Sequence, residues 1–284
     1  MNKQPITGPV ELLKSAWSFY RSHWKQLCAV VLIPYAAMYI GSVLQSTKNP
    51  LLLILGILVS IAGGVYLIAG YAALVDAMKK IAADPSGSLS LKAQFKAGFS
   101  IFWPMVLVGL ITYVVTLGSM LVFIIPGFIV GIYISFGLFA LVLDGKRGFS
   151  ALTESFSVVR GRWWHVFGRL IVVGLVNAVL MLIIVGLLYV SSAGTTVTAI
   201  ARVIVNIAFI PFALTYLYHL YSSLKATRSP EVQTKNFKRW LVVFLIVFVL
   251  FVFTIPVILA SLNSARHLRL EAQNAAEAQS AIAK

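Results

Sequence analysis

Catalysis and metal binding need carboxylates, histidines, thiols or activated hydroxyls at working spacings, and this chain holds few of them. Its 284 residues include eight Asp and Glu, four His and one Cys. The histidines, His23, His165, His219 and His267, are scattered, and no pair of them has metal-ligand spacing. The single Cys28 allows neither an intrachain disulfide nor a cysteine-based metal site. There is no Gly-rich phosphate loop and no Gly-x-Ser-x-Gly elbow. The expectation is therefore a protein without a catalytic site, cofactor or metal. Three polar sets remain to be explained. Asp76 and Asp144 close two apolar runs, "AALVDAMKK" and "FALVLDGKR". Asn177 and Asn206 lie inside other apolar runs, and Arg202 stands at the outer end of one. The block "VVRGRWWHVFGRL" packs three arginines beside two tryptophans.

The elements that carry these residues are membrane spans. The chain is 60% hydrophobic and 11% charged, against about 25% charged for a soluble domain. Seven runs approach the roughly 20 apolar residues that a crossing helix needs. They are Leu27–Leu44, Leu51–Val75, Ile101–Ile125, Gly127–Leu143, Val166–Val190, Val203–Leu220 and Trp240–Leu262. Only Pro126 and Gly127 separate the third from the fourth. A proline stop and a glycine turn predict a hairpin there; the alternative is one long kinked helix. Pro34, Pro104, Pro211 and Pro256 fall within runs and predict kinks. The first 26 residues mix polar and aromatic types, so no cleaved leader is expected.

The net charge is +15, and its placement gives an orientation. With the N-terminus inside, 18 of the 23 Lys and Arg fall on inner segments and five fall outside. That asymmetry is the positive-inside signature. It predicts a multi-pass protein of a bacterial cytoplasmic membrane, with its N-terminus cytoplasmic and its C-terminus external. The basic residues then face anionic lipid headgroups, and no nucleic-acid-binding signature accompanies them.

A repeated device precedes the spans. Leu13, Trp17, Tyr20, Trp24 and Leu27 recur on one helical face. Leu152, Phe156, Val159, Trp163 and Val166 repeat that stripe 139 residues later, with Arg21 matching Arg160. A weaker copy begins at Leu91. The chain thus reads as three units, each an amphipathic helix leading into a hairpin. Interfacial helices are predicted at 10–26, 90–101 and 149–164. Trp17, Tyr20, Arg21, Trp24, Phe156, Arg160, Arg162, Trp163 and Trp164 are the expected lipid-facing set. Small residues form ridges for close helix packing: Gly56, Ser60 and Gly64 in span two, and Gly127, Gly131 and Ser135 in span four. Asp76 and Asp144 sit at helix C-termini, where the macrodipole disfavours them. They are expected to pair with Arg21, Arg160 or Arg162. Arg169 is expected to snorkel to the boundary. Asn177, Arg202 and Asn206 are read as an intramembrane cluster, either interhelical glue or a cavity lining.

The blocks "IIPGFIVGIYISFGLFALVLDGKRGFSALTESFSVVRGRWWHVFG" and "LLKSAWSFYRSHWK" resemble the glycerophosphoryl diester phosphodiesterase membrane-domain family. The resemblance covers roughly residues 8–225. It implies a membrane bundle and a membrane address. The soluble phosphodiesterase domain that accompanies some members is not among the 284 residues, so it implies no catalysis here. Residues 1–225 are predicted to form a six-span membrane domain. Residues 229–284 are predicted to form a seventh span, with a helix start at Ser229-Pro230-Glu231 and an external helical tail. The fold class expected is an all-α polytopic bundle. The expected role is non-catalytic: a membrane organiser, anchor or scaffold contacting anionic lipid, with a protein partner at the tail or a second copy. A lipid or small-solute transporter is the alternative, and a membrane-embedded hydrolase is less favoured.

Overall fold

The computed structural model describes residues 6–85, 90–122, 124–190, 194–227 and 235–282. Ten helices account for almost all of them, with no strand among the described residues. They are α1 (Pro9–Gln45), α2 (Pro50–Ala83), α3 (Leu91–Ser100), α4 (Phe102–Val122), α5 (Ile124–Ile134), α6 (Gly137–Asp144), α7 (Phe149–Val159), α8 (Trp163–Val190), α9 (Thr195–Ala226) and α10 (Lys235–Ile282). Seven stretches are long and apolar enough to cross a membrane, α5 and α6 together forming one of them. The protein is an all-α multi-pass membrane bundle. The helix start expected at Ser229–Glu231 lies outside the described residues.

Local sequence explains the helix ends. Pro9 occupies the first turn of α1, and Glu11 reaches back to accept from the Gly8 amide at 3.2 Å. Asn49 caps α2, its Oδ1 accepting from the Leu51 amide at 2.9 Å, with Pro50 at the first helical position. Two predicted boundaries are corrected. No separate interfacial helix spans 10–26: nothing there breaks the backbone, so amphipathic segment and span fuse into one α1 of 37 residues. At about 56 Å it exceeds an apolar core of about 30 Å and extends well beyond it. The helix predicted at 149–164 stops at Val159, because Gly161 takes a left-handed φ of 77°. Trp163 and Trp164 open α8 instead. The helix expected at 90–101 is α3.

Glycines set the hairpin registers. A Cβ on Gly41 would overlap Ser60 and lie 2.8 Å from the Gly56 carbonyl; one on Gly63 would meet Met38 at 2.8 Å. Residue numbers fall along α1 as they rise along α2, so the two run antiparallel in close contact. The ridge of α2 thus runs through Gly56, Ser60 and Gly63. Gly64, the predicted third member, faces open space. Likewise Gly127 faces Met120, Gly131 faces Thr116, and Gly137 faces Val108. That antiparallel order makes residues 102–144 a hairpin rather than one kinked helix. α4 ends at Val122 and α5 begins at Ile124, ahead of Pro126. Pro126 stands in the first turn of α5, and Pro104 in the first turn of α4, where a missing N–H costs nothing. Pro34, Pro211 and Pro256 lie inside α1, α9 and α10.

Span four is discontinuous. The helix breaks between Ile134 and Gly137, and the exposed Ser135 leaves the predicted ridge there. Freed backbone groups in a bundle need partners, and Ser155 of α7 supplies them. Its hydroxyl donates to the Tyr133 carbonyl at 2.7 Å and accepts from the Phe136 amide at 3.0 Å. Ser155 is fully buried. α10 docks on α4 at Gly118, where any Cβ would collide with the Phe244 carbonyl. Its base is stacked on α7 through Phe237 and Phe156, ring centroids 3.8 Å apart.

Candidate functional site

Helix ends converge on one pole of the bundle, and most of the basic residues go with them. Arg162, at the head of α8, donates to the Leu224 carbonyl at 3.3 Å and to both oxygens of Thr227. It caps the C-terminus of α9, whose unpaired carbonyls favour a cation. Burial lowers its guanidinium below the usual range. One turn of helix and more into α8, Arg169 is only 8% exposed. It does not snorkel. Its Nε donates to the Thr7 carbonyl at 3.0 Å, and its terminal nitrogens donate to Ile6, Thr7 and His165 carbonyls at 3.2, 2.6 and 2.9 Å. A planar fork of five donors matches such a ring of carbonyls, which a lysine does not. The Tyr216 hydroxyl donates to the carbonyl of Arg169 itself at 3.1 Å. Thr7 also bonds Ser223, hydroxyl to hydroxyl at 3.0 Å. The segment leading into α1 is thereby stapled across α8 and α9.

Asp144 ends α6, where Gly145 turns left-handed with φ 67° and the Lys146 amide donates to the Ala140 carbonyl at 3.1 Å. That closure answers the helix's own carbonyls. The Asp144 carboxylate accepts from the Tyr221 hydroxyl at 2.5 Å and pairs with Lys225, both from α9. The predicted arginine partners are therefore corrected, and the reason is the approach of α9 over the end of α6. Arg162 is spent on α9, Arg160 lies 5.7 Å from the Phe156 ring, and Arg21 is exposed on α1. Asp76 pairs within its own helix, with Lys80 one turn on at 2.6 Å. Neither aspartate ties two parts of one repeat unit together.

The predicted lipid-facing set divides in two. Trp17, Arg21, Trp24, Arg160 and Trp164 are exposed. Tyr20 is buried against Phe212, with its hydroxyl 3.3 Å from Cys28 Sγ. Phe156 stacks on Phe237, and Trp163 stacks on Phe167 while donating to the Ile129 carbonyl at 3.3 Å. In α1 the buried stripe is Leu12, Ala16, Tyr20 and Leu27: it keeps Tyr20 and Leu27 of the predicted one, takes Leu12 and Ala16 in place of Leu13 and Trp17, and leaves out Trp24. Large indoles therefore sit at its flank.

Asn177, Arg202 and Asn206 are not brought together. Asn206 donates to the Arg202 carbonyl of its own helix at 2.9 Å, Arg202 is exposed, and Asn177 Oδ1 is buried without a partner. Past Val173 no described residue of α8 is buried, so α8 leaves the bundle before such a cluster closes. Among the described residues no three His, Cys, Asp or Glu gather as a metal site. The sequence reading missed Tyr221, Lys225, Ser155 and Tyr216. For two of them a signal existed: Tyr218, Tyr221, Ser222 and Lys225 recur at helical spacing on α9.

Fold and site together define a multi-pass helical membrane protein whose polar groups concentrate at one pole. A family model described as a domain of unknown function, DUF7847, matches residues 95–224, from α3 to the last turns of α9. No curated protein and no solved structure matches the chain.

Proposed function

We propose that this chain is a non-catalytic protein of a bacterial cytoplasmic membrane that anchors or organises lipid or protein at its basic pole. That pole faces the cytoplasm, and the C-terminal helix leads outward. One observation carries the reading: Lys14, Arg21, Lys25, Lys92, Lys96 and Arg160 are exposed on the helices of that pole, beside the exposed rings of Trp17, Trp24 and Trp164. Cations and indoles in such a band suit a headgroup layer of anionic phospholipid. The likeness to the glycerophosphoryl diester phosphodiesterase membrane domains supports the same address without the catalysis. The exposed apolar length of α10 offers a face for a protein partner or a second copy. The three-unit repeat belongs to this reading as well.

A transporter is the second reading, favoured by the break in span four, since discontinuous helices line many transport sites. Against it, the buried groups at this break are already satisfied by Ser155. Orientation tests the first reading. In a Cys28→Ser background, a cysteine at Lys14 should resist a membrane-impermeant maleimide in intact spheroplasts, and one at Lys48 should react. Labelling at Lys14 instead would overturn the orientation. Substrate-dependent flux in reconstituted vesicles would favour the transporter.

A further inference from the structure

At the basic pole, between the C-terminal turns of α2, α6 and α9, lies an open cleft of about 380 Å³. Lys79, Asp144, Tyr218, Tyr221, Ser222 and Lys225 line it. Three helix C-termini at one place make an unfavourable setting for an anion unless their carbonyls are answered, and here two of them are. The α6 end is closed by the Lys146 amide and by Lys79 Nζ, which donates to the Leu143 carbonyl at 3.4 Å. The α9 end is capped by Arg162. On α2, Lys80 is spent on Asp76. The one carboxylate in the cleft is not free either: Asp144 is held by Lys225 and the Tyr221 hydroxyl, and its side chain is 10% exposed against 48% for Lys225. Two ammonium groups and one carboxylate leave the lining with one net positive charge. The Ser222 hydroxyl bonds the Tyr218 oxygen, which leaves the Tyr218 O–H as a neutral donor.

We infer that this cleft binds a phosphate monoanion, with Lys79 and Lys225 as its charged donors and the Tyr218 hydroxyl, oriented by Ser222, completing the set. Ammonium and hydroxyl donors around a mouth with one surplus positive charge match a phosphodiester, which carries one negative charge and several acceptor oxygens. Asp144 is a positioning residue: it holds Lys225 at the rim and touches no ligand. The cleft opens where the basic pole meets the headgroup layer, so this inference rests on the lipid-facing reading above. The phosphate is carried by a phospholipid headgroup or arrives free, and the experiment separates these.

The test is native mass spectrometry of the purified full chain, titrated with phosphatidylglycerol and, separately, with a diacylglycerol of the same chains that lacks phosphate. Wild type should retain phosphatidylglycerol preferentially. Lys79→Gln and Ser222→Ala, both on exposed side chains, should weaken that binding, Lys79→Gln by about tenfold, the worth of one charge-assisted hydrogen bond. Lys48→Gln, at the opposite pole, should leave it unchanged. Inorganic phosphate that displaces the lipid from wild type and not from Lys79→Gln assigns the cleft to free phosphate; no displacement assigns it to the headgroup. Retention within twofold of wild type by both cleft variants overturns the inference and leaves the lipid-facing reading standing. No preference of wild type for phosphatidylglycerol over diacylglycerol overturns both.

Discussion

Arg169 shows how one residue type decides a local structure. A charge this deep normally demands a carboxylate, yet its fork is filled by backbone carbonyls of the segment before α1 and of its own helix. Carbonyl dipoles spread over a delocalised cation satisfy it without an anion. Arg169→Lys keeps the charge and loses the fork. It should cost about 2 kcal/mol in detergent unfolding, and raise amide exchange around Thr7 as the staple opens. Unchanged exchange there would show that Ser223 alone holds the segment. Asp144 teaches the complementary lesson. Its macrodipole problem was legible in the sequence; its partners were not, because Lys225 lies 81 positions away on a helix whose approach the sequence does not state.

At the scale of elements, the break in span four is the feature with the most physical content. Within an apolar bundle an unpaired amide and carbonyl are costly, so a broken helix persists only where something replaces its missing bonds. Ser155 does this with one hydroxyl used twice. Ser155→Ala should lower stability by about 1–3 kcal/mol, the cost of leaving buried backbone groups unpaired. Ser157→Ala should cost less, since that hydroxyl bonds only the Glu154 carbonyl of its own helix. Calorimetry in detergent would rank the two, and equal losses would assign the effect to packing of α7 instead. The break itself was hidden in the sequence: "YISFGLF" reads as continuous apolar helix until α7 is seen beside it.

Across the whole molecule, packing is uneven. Buried side chains concentrate near the basic pole, where α1, α2, α6, α7 and α9 meet, while the far stretches of α8 and α10 expose most of their apolar residues. In a bilayer those faces are satisfied by lipid, so little drives them together beyond close backbone contact. That puts weight on the few close contacts that attach outlying helices. Gly118→Leu should push α10 off α4 and cost about 1–3 kcal/mol through overpacking. Gly109→Leu, on the same helix with open space around it, should be silent in the same unfolding measurement. A silent Gly118→Leu would mean that α10 is held by its stacked base on α7 alone.

The sequence by itself determined what depends on short-range composition. Apolar runs of span length yield seven crossing stretches, and the hairpin between the third and fourth was legible, although Pro126 and Gly127 lie within the first turns of α5 rather than at the turn. It also located the basic residues by loop. Tertiary structure alone decided which side chains meet. A helix presents several faces, and the buried stripe of α1 takes in Leu12 and Ala16 beside Tyr20 and Leu27, which leaves Trp17 and Trp24 at its flank. Long-range pairs such as Asp144 with Lys225, Ser155 with the broken span and Arg169 with Thr7 depend on how helices cross. That crossing is fixed by glycine contacts and capped ends distributed over the whole chain, and no local stretch of sequence contains it.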